Sequence, residues 1–270
     1  MKKEIRIFFT AMMFLTRLPV PHYTDHSQEY LERSAKYFPL IGWIVAAISG
    51  LTFLVFNKYI SEDIAILASI IAGILTTGAF HEDGFADCCD AFGGGWNKEQ
   101  ILRIMKDSRL GTFGVIGLIS VLAAKFLLLR ELPKFSPDLA NPTANPFLLY
   151  KDFLVLLIAA HGVSRLMGVL TIRFFDYVSD PEGSKSKPIT SHKPGPGVLL
   201  VATAFAFIPF YWLGWPFLLA VLPVLLVGWN LARYFKRWIG GYTGDCLGAM
   251  QQVSELVFYL GALIIWRYVI

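Results

Sequence analysis

The chain has 270 residues, 55% of them hydrophobic and only 16% charged. Soluble domains carry roughly 25% charged residues, so this composition excludes an ordinary soluble domain and points to a membrane protein. The net charge of +4, without a basic run or an aromatic-interleaved patch, excludes nucleic acid as a partner, and three cysteines (Cys88, Cys89 and Cys246) without framework spacing exclude a disulfide scaffold.

The N-terminal MKKEIRIFFTAMMFLTRLPVP has the outline of a signal peptide. Glu4, Arg6 and Arg17 interrupt its apolar part, however, and no small-residue cleavage site follows. The expectation is a retained, amphipathic or partly inserted first helix. TRLPVP (16–21) and FPLIG (38–42) read as a turn and a kinked entry to the first span. Crossing a hydrocarbon core ~30 Å thick takes about 20 predominantly apolar residues. The candidate spans are 37–56, 64–80, 113–129, 153–172, 198–213, 215–231 and 253–269. Trp and Tyr cluster near several of their ends, as interfacial belts do. The fold class is therefore all-α, a polytopic membrane helix bundle with about seven transmembrane spans, forming one domain over residues 1–270. The turn-rich stretch 176–197 reads as a mobile loop and a lid over the site.

Seven spans sort the loops by side. Residues 1–36, 81–111, 173–197 and 232–252 share one side and hold 17 of the Lys and Arg residues, against 5 on the other. The positive-inside tendency places the 17-residue side in the cytoplasm. HEDGFADCCDAFGGG (81–95), KDSRLGTFG (106–114) and GGYTGDCLGA (240–249) all fall on that side. Polar, glycine-rich segments far apart in sequence are thus expected to meet at one cytoplasmic face.

In the first of these, Asp83, Asp87 and Asp90 follow an i, i+4, i+7 spacing, within about 60° of one another on a helix. Like charges that close repel unless a cation neutralises them, and hard oxygen ligands suit Mg²⁺ or Mn²⁺. The bland alternative is a solvated acidic loop. His81 reads as a general base, a ligand or a phosphate contact, and Glu82 points about 100° away from Asp83, outside the cluster. Cys88 and Cys89 read as small packing residues.

KDSRLGTFG brings Arg109, Thr112 and free backbone amides to the start of a span, a mixture suited to a phosphate-bearing ligand, with Asp107 as a further metal ligand. The plain alternative is interfacial anchoring, with Arg103 and Asp107 as an ordinary i, i+4 pair. GGYTGDCLGA offers Thr243 and Asp245, the latter also a natural N-cap for the last helix. Glu255, deeper in that helix, needs a partner or water, as does Arg165 in mid-span with His161 on the same face. Lys125 reads as snorkelling to the far interface.

HEDGFADCCDAFGGG followed by ILRIMKDSRLGTFG resembles the cobalamin synthase family, the adenosylcobinamide-GDP ribazoletransferases. The resemblance extends through TRLPVP, FPLIG, Lys125, Ser164-Arg165, GGYTGDCLGA and Glu255. Glu82 departs from it, since an apolar residue is expected there. The resemblance implies an Mg²⁺-dependent enzyme integral to the cell inner membrane, with its active site facing the cytoplasm. In the implied reaction the 3′-hydroxyl of α-ribazole, or of its 5′-phosphate, attacks the cobinamide-linked phosphorus of adenosylcobinamide-GDP and GMP leaves. It implies Asp83, Asp87, Asp90 and Asp107 as metal ligands, and Arg109, Thr112, Arg165 and Thr243 as substrate contacts. His81 or Asp245 takes the hydroxyl proton. The partners are these substrates and the lipid bilayer, with room for a homo-oligomer. Two rival readings stand beside it. A CDP-alcohol phosphotransferase requires an Asp-Gly-x-x-Ala-Arg signature, which Asp83-Gly84-Phe85-Ala86-Asp87 does not meet. A cation-binding transporter places its charges near the bilayer midplane, whereas this acidic cluster sits at a span's end.

Overall fold

The computed structural model describes residues 2–25, 27–132, 149–178 and 193–269, so most of the expected 176–197 lid lies outside the described residues. Among them every regular element is helical, apart from one parallel bridge between Tyr177 and Tyr242. Helix α1 (Lys2–Leu15) is followed by α2 (Gln28–Ser34), a 3-10 turn (Ala35–Tyr37) and α3 (Phe38–Tyr59). The last three run on as one rod of 32 residues. Glu4 fastens α1 to this rod by accepting from Lys36 Nζ (2.6 Å) and the Tyr37 hydroxyl (2.8 Å). Those two hydrogen bonds, Lys36 first, hold the Glu4 carboxyl below the usual carboxylate range.

Helix α4 (Glu62–Thr77) starts at Ser61, whose hydroxyl accepts from the Ile64 amide, and ends at Gly78. The chain then turns sharply. Gly78 (φ 67°) and Ala79 (φ 59°) both lie in the left-handed region, and α5 (Phe80–Gly94) leaves at 89° to α4. For an alanine that conformation costs about 1–2 kcal/mol, so something must hold it. The TRLPVP turn does so: the Arg17 amide donates to Thr76 O (2.8 Å), and the Arg17 side chain lies where a Cβ on Gly78 would project.

Helix α6 (Lys98–Met105) opens with a reciprocal cap, in which Asn97 accepts from the Gln100 amide (2.9 Å) and Gln100 accepts from the Trp96 amide (3.0 Å). Then come α7 (Thr112–Glu131), α8 (Lys151–Phe174), α9 (Pro196–Phe207), the short α10 (Phe210–Leu213), a 3-10 turn (Trp215–Ala220), α11 (Val221–Ile239) and α12 (Gly244–Tyr268). The chain is an all-α polytopic membrane bundle. Six helices are long and apolar enough to cross a membrane, and the bent pair α4–α5 makes a seventh candidate. The expected span 64–80 is thus α4, whose 16 residues reach only about 24 Å.

α8 and α12 are the most enclosed spans. They pack on one another, α8 also on α3, and α12 also on α5 and α11. The peripheral helices turn apolar side chains outward, including Ile116, Ile119 and Leu127 of α7 and Leu222 and Leu226 of α11. Tyr59, Tyr211, Trp215 and Tyr268 are exposed at helix ends, where an aromatic belt sits.

Gly78→Val adds a side chain against Arg17 at a left-handed φ, so the α4–α5 corner opens and the thermal midpoint in detergent falls markedly. Gly195→Ala, at a position where a new Cβ meets nothing within 4 Å, leaves that midpoint unchanged.

Candidate active site

The α4–α5 corner, the α6–α7 turn and the entry to α12 meet at one end of the bundle, with α5 in contact with α6, α7 and α12. α5 and α12 cross backbone to backbone. A Cβ on Gly84 would lie 2.9 Å from Asp245 Cα, and one on Gly248 would lie 3.0 Å from His81 O. Only glycine permits that approach, and it brings Asp245 beside the carboxylates of α5.

Asp83 is exposed, while Asp87 and Asp245 are part-buried. Asp245, Asp83 and Asp90 all act electrostatically on Asp87, and Asp83 acts on Asp245. Asp90 is placed differently. Its two oxygens accept from the amides of Gly111 (2.7 Å) and Gly114 (2.8 Å), capping α7 from a neighbouring helix. The N-cap of α12 is Thr243 rather than Asp245: its hydroxyl accepts from the Cys246 amide (3.3 Å) and donates to Met105 Sδ (3.1 Å). That releases Asp245 to face Asp83 and Asp87.

The α6–α7 turn is closed by Asp107, which pairs with the Arg109 guanidinium (2.8 Å) and accepts from the Arg109 amide (3.1 Å). The Arg109 guanidinium holds the Asp107 carboxyl below the usual range. Asp107, expected as a further metal ligand, with an i, i+4 pair to Arg103 as the plain alternative, is engaged instead by Arg109. The Arg109 side chain is 87% exposed, and Thr112 is exposed as the first residue of α7.

His81 and Glu82 lie on other faces of α5 and point inward. His81 is opposite the aspartate row at 100° per residue, and both are buried. They line an interior cavity with Lys125, His161, Arg165, Gln251, Gln252 and Glu255. Lys125, expected to snorkel, is instead only 6% exposed, paired with Glu255 (3.2 Å) and donating to Gln252 Oε1 (3.0 Å). Glu255 also accepts from Gln251 Nε2 (2.6 Å) and the Tyr259 hydroxyl (3.0 Å). Arg165 is 3.1 Å from His161 Nδ1 and 3.2 Å from His161 O. Gln252 Nε2 donates to Glu82 Oε1 (2.9 Å), so the residue set aside as off-cluster is a buried part of this network. The glutamines carried no signal in the sequence, because nothing local marks them as partners of charge.

Among the described residues no three His, Cys, Asp or Glu side chains close on one point, so there is no all-protein metal cage. The donor chemistry of Asp83, Asp87 and Asp245 nevertheless fits Mg²⁺, which is commonly held by one or two carboxylates with water and substrate phosphates completing its shell. The α5–α12 crossing sets Asp245 beside the α5 segment that carries Asp83 and Asp87, with Arg109 and Thr112 on the neighbouring turn. His81 and Arg165 face the interior, and Asp90 and Thr243 are engaged as caps.

Asp90→Ala leaves two amides without an acceptor and costs about 2 kcal/mol, visible as faster amide exchange at Gly111 and Gly114; Asp90→Asn keeps one acceptor and loses less. Lys125→Met strands a buried carboxylate and costs about 3–5 kcal/mol in denaturant unfolding from mixed micelles, while Lys125→Met with Glu255→Met regains much of it.

Residues 7–263 match the family described as Cobalamin-5-phosphate synthase. Relatives named adenosylcobinamide-GDP ribazoletransferase include one from Leptospira interrogans, 41% identical over 99% of this chain and 98% of the relative. Others are from Shewanella sp. strain W3-18-1, 40% identical over 97% and 95%, and Shewanella frigidimarina, 39% identical over 96% and 94%. No solved structure matches the chain significantly. On a match that runs nearly end to end, this chain belongs to the cobalamin-5-phosphate synthase family.

Proposed function

We propose that the chain is an adenosylcobinamide-GDP ribazoletransferase that joins the adenosylcobinamide phosphate moiety to α-ribazole or its 5′-phosphate and releases GMP. Membership of the family supports the substrates. The observation that carries the chemistry is the juxtaposition of Asp83, Asp87 and Asp245 at the end of the bundle, carboxylates that act on one another across two helices. Phosphoryl transfer is largely positioning and charge neutralisation, and this arrangement supplies both.

Asp83 and Asp87 would hold Mg²⁺, which would supply charge neutralisation at the substrate's pyrophosphate. Arg109 and Thr112, exposed at the start of α7, bind phosphate oxygens. The α-ribazole 3′-oxygen forms its bond to the cobinamide-linked phosphorus as the bond from that phosphorus to the GMP oxygen breaks. The hydroxyl proton passes to Asp245. Asp245 rather than His81 takes it, because Asp245 adjoins Asp83 at the α5–α12 crossing, whereas His81 lines the inner cavity. Asp90 supports the site by fixing the start of α7. The 17-to-5 distribution of Lys and Arg supports a site facing the cytoplasm from the inner membrane.

In lipid vesicles supplied with adenosylcobinamide-GDP, α-ribazole and Mg²⁺, the protein releases GMP. EDTA stops the release and added Mg²⁺ restores it. Asp87→Ala and Asp245→Ala each lower the rate by on the order of 10²-fold or more. GMP release indifferent to Asp87→Ala overturns the mechanism.

A further inference from the structure

The partly open cavity between α3, α4, α5, α7, α8 and α12 has a volume of about 30 Å³. Two of its lining residues each keep one polar atom without a partner: Glu82 Oε2, an acceptor, and Arg165 Nε, a donor. Glu82 is 8% and Arg165 3% exposed, so bulk solvent does not meet either need. Buried polar atoms are nearly always satisfied, and an exception calls for an occupant.

The surroundings define that occupant. It must accept from an N–H and donate to a carboxylate, which excludes any apolar filler. An anion is repelled by Glu82 and Glu255, and a metal cation by Lys125 and Arg165, since the two carboxylates and two cations leave no net charge to attract either. It must also be small, because a water needs only about 10–15 Å³ of such volume and the cavity offers about 30 Å³. Water meets all of these conditions, and the wall has the polar groups to give it the usual two to four hydrogen bonds.

We propose that this cavity is an internal water-binding site bridging Glu82 of α5 to Arg165 of α8. The bound water closes a network that already runs from Lys125 Nζ to Gln252 Oε1 and from Gln252 Nε2 to Glu82 Oε1. Four helices are thereby tied at the residue immediately before Asp83. Glu82 is a positioning residue: it sets the rotation of α5 and so the direction of the aspartate row. This second part rests on the transferase reading; the water site does not.

Hydroxyl-radical footprinting in H₂¹⁸O, on the full chain in zwitterionic lipid vesicles without substrate, tests the water directly. His81 and His161 line the cavity and take up label in spite of 5% and 8% exposure, whereas Phe153, 1% exposed and packed among aromatic rings, stays silent. Equal silence at all three overturns the water site. Glu82→Leu removes the acceptor and brings His161 down to the level of Phe153, while Glu82→Gln keeps the label. Label retained in Glu82→Leu also overturns the bridging. In the same vesicles Glu82→Leu raises the Mg²⁺ needed for half-maximal GMP release by about 10- to 100-fold, and Glu82→Gln restores it. A slower rate with an unchanged Mg²⁺ requirement means that Glu82 is merely structural and overturns its positioning role. Because labelling is read without substrate, it fails or succeeds separately from the GMP assay.

Discussion

The crossing of α5 over α12 is the contact on which this end of the bundle depends. The helices meet with no side chain between their backbones, at Gly84 against Asp245 and Gly248 against His81. Any bulkier residue would separate them, because the opposing atoms are main chain and cannot rotate away. The crossing fixes which face of α5 is buried and places Asp245 next to Asp83. It also joins the aspartate row to the helix that carries Gln251, Gln252 and Glu255, so the outer site and the inner network share one scaffold.

α5 carries four carboxylates in 15 residues, and the fold gives them unequal environments. Glu82 receives a hydrogen bond from Gln252, and Asp90 receives two from the α7 amides. No Lys, Arg or His side chain pairs with Asp83, Asp87 or Asp245 among the described residues. Charge that the protein itself neutralises is structural. Charge left over at the part-buried Asp87 and Asp245 is costly unless something external neutralises it, and exposed Asp83 beside them adds to their repulsion. The distinction narrows the aspartate row to two members and adds a third from α12.

The spans were legible in the sequence because hydropathy over some 20 residues depends on nothing outside the segment. The i, i+4, i+7 aspartates were legible for a similar reason, since helical spacing is local. What failed to show were relations between helices. Lys125, near the end of its span, has the local features of a snorkelling lysine, and only the depth of Glu255 on α12 reverses that. Asp90 matches Asp83 and Asp87 in spacing, yet the α7 amides occupy it. Asp245 has the right type and place for an N-cap, but Thr243 two residues earlier takes the role. In each case the residue has two chemically sound partners, and tertiary packing decides between them.

The 89° corner explains why the carboxylates can act together. On a helix continuing straight from α4, Asp83 and Asp90 would stand about 10 Å apart along the span axis, one near the hydrocarbon and the other well outside it. With α5 turned at 89° to α4, the same separation runs across the α4 axis instead of along it. The row can then be met from α12 at Asp245. The strained Ala79 conformation is the local cost of that turn, and Arg17 and Thr76 hold it in place. A chain segment that would otherwise continue α4 thus lies across its end.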